Sequence, residues 1–73
     1  MEITLNGEKR QLPEGMTVSA LIKHFEFASE RLAVELNLQI LKREQWSTVI
    51  LKTGDQIEIV QFVGGGTAPA AAV

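Results

Sequence analysis

One amphipathic segment constrains this chain more than anything else in it. Val18, Leu21, Ile22 and Phe25 recur at i, i+3, i+4 and i+7, which is a single apolar stripe on a helix of about ten residues. Thr17 stands just before the stripe, with a hydroxyl able to accept from the first free N–H groups of the helix. Lys23, His24 and Glu26 fall off it. No second stripe of this period exists, and the rest of the patterned sequence alternates. A lone helix buries its stripe by covering one face of a sheet.

The alternating stretches supply that sheet. Ile3 and Leu5 share one face and Glu2 and Thr4 the other, the period of a half-buried strand. Asn6-Gly7 follows, a pair suited to a two-residue turn in which both positions need positive φ. Residues 1–5 and 8–12 are therefore expected to pair antiparallel. Pro13 to Gly15 reads as a turn. After the helix, Leu32, Val34, Leu36 and Leu38 alternate with Ala33, Glu35 and Asn37, so a third strand is expected across this run. Residues 43–55 read as an irregular connection with a short apolar piece at Val49 to Leu51 and a turn at Thr53 to Asp55. Gln56 to Val63 is the last strand. The sum is an α+β domain, a mixed sheet of four to five strands packed on one helix. Residues 1–63 form the domain, and residues 64–73 are expected to be a flexible glycine-rich tail.

Size and charge narrow the function. With 73 residues the chain is one domain that buries only roughly 60% of its unfolded surface, which leaves little room for both a core and an elaborate pocket. A net charge of −2 argues against nucleic acid, whose phosphates draw on clustered Lys and Arg. No apolar run nears the roughly 20 residues that span a bilayer, and the start, MEITLNGEKR, lacks the basic-then-apolar order of a signal peptide. The cytoplasm is the expected compartment, with no membrane partner. The absence of cysteine excludes disulfides, thiolate metal sites and a cysteine nucleophile. His24 lies off the buried stripe, Ser19, Ser29 and Ser47 have no evident base, and the carboxylates lack metal-ligand spacing. Gly64 to Gly66 do not lead into a helix as a phosphate loop does. No catalytic residue, no metal site and no bound cofactor are expected.

The informative end is the C-terminus. The apolar run stops at Gly64, Gly65 and Gly66, and seven uncharged residues, Thr67 to Val73, follow. This order of hairpin, helix, strand and final strand before Gly-Gly resembles the β-grasp fold of ubiquitin-like proteins. Arg43-Glu44-Gln45-Trp46, Gly54-Asp55-Gln56-Ile57 and Gly65-Gly66, with Asn37 and Gln39-Ile40 ahead of them, sharpen the resemblance over residues 1–66 to the ThiS family, the sulfur carriers of thiamin thiazole synthesis.

That resemblance implies a co-substrate rather than an enzyme. An E1-like adenylyltransferase of the ThiF type would use ATP to adenylate the terminal carboxylate. The carboxylate would become a thiocarboxylate, and a thiazole synthase of the ThiG type would take its sulfur. By position Gly66 would carry the thiocarboxylate, with Gly64 and Gly65 forming the narrow tail before it. Glycine has no Cβ, so such a tail can thread an active site. Relatives generally end at Gly-Gly, whereas here Thr67 to Val73 follow, so residues 67–73 are either a pro-segment that a processing protease removes or a sign that the function is lost or altered. The alternatives are a molybdopterin synthase small subunit, a carrier for cysteine synthesis, or a β-grasp interaction module with no acyl chemistry.

Two further residues bear on recognition. With Ile57 and Ile59 facing the helix, Val60 and Phe62 fall on the other face of the last strand. They are expected to be exposed beside the tail and to dock a partner. Trp46 reads as core, or as a half-buried lid.

Overall fold

The computed structural model describes residues 1–62 and 69–72. It shows β1 (Glu2–Leu5), β2 (Glu8–Gln11), α1 (Val18–His24), β3 (Leu32–Leu36), β4 (Gln39–Leu41), β5 (Gln56–Phe62) and β6 (Pro69–Ala72), with short 3-10 turns at Ser29–Arg31 and Arg43–Gln45. The sheet runs β2-β1-β5-β3-β4, and β6 also pairs with β5. β1 and β5 are parallel, while β1·β2, β3·β4, β3·β5 and β5·β6 are antiparallel.

Local chemistry accounts for each element. Asn6 and Gly7 take φ of 50° and 83°, the positive angles that turn β1 into β2. Thr17 caps α1, its Oγ1 accepting from the Ala20 N–H at 3.1 Å. The helix is shorter than its stripe suggests. Glu26 turns to φ 60°, its N–H donates to the Lys23 carbonyl at 3.0 Å, and the Phe27 N–H donates to the Ile22 carbonyl at 3.0 Å. This crossed pair of bonds is a Schellman ending, made here without glycine. Val18, Leu21 and Ile22 are buried, and Phe25 packs against the cluster they form with Ile3, Leu5, Leu12, Leu32, Val34, Trp46, Leu51, Ile57 and Ile59.

One expectation is corrected. The run read as one third strand is a hairpin, β3 and β4, with Leu36 opposite Gln39. Asn37 and Leu38 have φ of 52° and 69° and form its turn. Alternation alone gave no sign of the reversal, because Leu38 continues the apolar period while standing 84% exposed. Asn37 stabilises the turn from outside the hairpin: its Oδ1 accepts from the Gln56 N–H at 2.9 Å and its Nδ2 donates to Asp55 Oδ1 at 3.1 Å. Of the segment 64–73, residues 64–68 and 73 lie outside the described residues, and residues 69–72 form β6 and lie along Val60 to Phe62. The edge of β5 beyond β1 offers unpaired main-chain groups that an extended segment can take, and apolar patterning is not needed for that.

Candidate functional site

The candidate site is the C-terminal end of β5, since Gly66 follows from it. The three glycines, Gly64, Gly65 and Gly66, lie outside the described residues; their root does not. Ile57 and Ile59 are 1% and 0% exposed against the core and anchor the strand. β3 flanks it on one side, with Ala33 opposite Val60 and Leu32 opposite Gln61.

The other side is covered in three ways along its length. The Asn6 main-chain N–H donates to the Ile57 carbonyl at 2.9 Å. The Asn6 side chain then meets Ile59, its Oδ1 accepting from the Ile59 N–H at 2.8 Å and its Nδ2 donating to the Ile59 carbonyl at 3.4 Å. Further on, β6 pairs Ala71 with Gln61 and Ala72 with Val60. Sequence reading assigned Asn6 to the turn alone. Its second role, a side-chain amide standing in for a strand across a separation of 53 residues, has no local signal.

Val60 and Phe62 are half-buried rather than exposed. On the backbone, Val60 pairs with Ala33 of β3 and with Ala72 of β6, and Phe62 pairs with Pro69 of β6. Among the described residues, the large apolar side chains that stand in solvent are Leu38, Ile40 and Ile50. The Arg43–Trp46 motif is an internal brace. Trp46 is 6% exposed and part of the core. The Arg43 guanidinium lies 4.6 Å over its ring and donates to the Glu30 carbonyl at 3.1 Å. The Trp46 carbonyl accepts from the Ser19 N–H at 2.9 Å, so the motif ties the β4–β5 connection to α1. The Trp46 Nε1 is buried and has no hydrogen-bond partner among the described residues.

His24 is exposed, its ring edge-on to Phe25 at 4.8 Å. Among the described residues no group of three His, Asp or Glu side chains could hold a metal ion, and no helix is long and apolar enough to cross a membrane.

Comparison with known proteins decides the family. The model of the ThiS family matches residues 2–66. The chain belongs to the ThiS family. It is 36% identical to the sulfur carrier protein ThiS of Escherichia coli, over 90% of this chain and all of that one. The crystal structure of the thiamine biosynthesis protein ThiS from Geobacter metallireducens superposes with a TM-score of 0.80 at 35% identity, covering 90% of this chain and all of that one. The fold is thus the β-grasp of the ThiS carriers. A thiazole synthase of Magnetococcus marinus is 42% identical over 71 residues, which is 97% of this chain but 22% of that protein. The chain therefore spans about a fifth of the length of that relative. With 71 of 73 residues matched, at most two are left out, so the match runs past Gly66 to residue 71 or beyond.

Proposed function

We propose that the chain is a sulfur carrier for thiazole formation, acting through a thiocarboxylate on Gly66. The observation that carries this is the match of the family model through residue 66, ending on Gly65-Gly66. The name of the Magnetococcus relative supports the thiazole branch over molybdopterin or cysteine synthesis.

The chemistry assigns the chain a passive role. The Gly66 carboxylate attacks the α-phosphorus of ATP in the E1-like partner and pyrophosphate leaves. A hydrosulfide-level donor then attacks the acyl carbon, AMP leaves, and the thiocarboxylate remains. Thiazole synthase takes the sulfur. The carrier contributes a stable domain and a thread slim enough to enter two active sites. The first step needs a free carboxylate, and an internal Gly66 offers only an amide. We therefore include cleavage after Gly66, separating Thr67 and the residues after it from the carrier, as the first event. The half-buried Val60 and Phe62 would contribute to the docking surface beside the thread.

The test is direct. A chain ending at Gly66, incubated with the E1-like enzyme, ATP and a sulfide source, should exchange one terminal oxygen for sulfur by intact mass. The chain through Val73 should not. Equal conversion of both would show that the carboxylate of Gly66 is not the acceptor.

A further inference from the structure

The free edge of β5 can be accounted for group by group. Along a strand, successive residues point their N–H and C=O to opposite sides. Ile57 and Ile59 present theirs to the β1 side, where Asn6 takes the Ile57 carbonyl through its main chain and both Ile59 groups through its amide. By the same alternation Gln61 is next on that side, and Val60 and Phe62 face β3. Asn6 has closed the edge as far as Ile59. The rung at Gln61 is what remains for another strand, and Ala71 of β6 stands opposite it.

We propose that the β5 edge at Gln61 is a strand-addition site. Residues 69–72 hold it within the chain, and an extended main-chain segment of the adenylating partner takes it once those residues are released. The proposal rests on the sulfur-carrier reading. What the rung offers is one N–H and one C=O in extended geometry, and an extended backbone is the complement of that pair. β6 shows that an antiparallel strand fits there. Cleavage after Gly66 would turn β6 from a tethered strand into part of a separate segment. It would lose the roughly millimolar effective concentration that a short linker supplies, and the rung would open. From Gln61 to Gly66 is five residues, a reach of about 17 Å when extended. A partner strand clamped on Gln61 would fix the root of the thread at that distance from the acyl carbon. The extension thus blocks activation twice, by masking the carboxylate and by occupying the edge.

The test combines amide hydrogen exchange with binding. Among the described residues the buried core lies entirely at or before Ile59, so a chain ending at Gly66 keeps all of it. The Gln61 amide should exchange slowly in the full chain and roughly tenfold faster both in the full chain carrying Ala71→Pro and in the chain ending at Gly66. It should slow again when the adenylating partner is added without ATP. Gln61→Pro in the chain ending at Gly66 removes the N–H that faces outward and spares the ladder to β3. It should weaken partner binding about five-fold, the worth of one net hydrogen bond, with the Val60 amide as protected as before. If the shortened chain is adenylated while Gln61 stays unprotected, strand addition is wrong and the carrier reading stands. If the full chain and its Ala71→Pro variant exchange alike at Gln61, β6 does not hold the rung and the proposal fails. If the shortened chain neither binds nor is adenylated, the carrier reading fails and takes the proposal with it.

Discussion

Replacing Asn6 tests the most economical feature of the structure, a single residue that both turns β1 into β2 and closes the edge of β5. Asn6→Gly keeps the φ of 50° accessible and removes only the amide. Ile59 is 0% exposed, so its N–H loses a 2.8 Å acceptor in a place water does not reach without rearrangement. Leaving a buried donor unsatisfied costs about 1–3 kcal/mol. The 3.4 Å bond to the Ile59 carbonyl is long and adds little. The expected loss is about 2 kcal/mol, which in a domain of this size lowers Tm by roughly 8–16 °C. Asn6→Asp keeps the acceptor and loses only the long bond, so it should cost under about 1 kcal/mol. Asn6→Ala should be worst, because a left-handed φ adds about 1–2 kcal/mol for a residue with a Cβ. Urea unfolding at unchanged m reads all three, and exchange at the Ile59 amide reports the bond itself. A Gly variant within 0.5 kcal/mol (about the error of such a comparison) and an unaltered Ile59 amide would refute the role given to Asn6.

Four other substitutions separate packing from recognition. Trp46→Ala empties a core position that is 6% exposed and should cost about 3–5 kcal/mol by chemical denaturation. Thr17→Ala removes the cap bond to Ala20 and should cost about 1 kcal/mol in the same assay. Leu38→Gly relieves a φ of 69° on an exposed residue and should stabilise the domain by up to about 1 kcal/mol, since the relief exceeds the entropy glycine loses on folding. Phe62→Ala, at a half-buried site, should cost less than the roughly 3–5 kcal/mol of a fully buried Phe and should weaken binding of the adenylating partner in a titration of the chain ending at Gly66.

The sequence made the fold legible where a residue's chemistry acts locally. Asn6-Gly7 announces its turn, Thr17 caps the helix it precedes, and the alternation of Ile57 and Ile59 with Glu58 marks the buried face of β5. What it concealed depends on distant partners. The break at Asn37-Leu38 is stabilised by Asp55 and Gln56, so alternation through Leu38 reads as one strand. The pairing of β6 with Val60 to Phe62 was equally hidden, because it uses an open edge and Pro69 to Ala72 carry no strand pattern. Trp46 was legible as core, but the stacking of Arg43 on it, and through Arg43 the tie to Glu30, was not. The candidate site rests on the motif of glycines at 64–66, while the Asn6 amide that closes the edge of β5 before it does so from the far end of the sequence.

The central claim is that the working terminus is Gly66. Intact mass of the protein isolated from its own host tests it without any assumption about partners. The account predicts molecules ending at Gly66, a fraction of them with one terminal oxygen replaced by sulfur. A chain that continues beyond Gly66 in every molecule, with no sulfur at that residue, would contradict it.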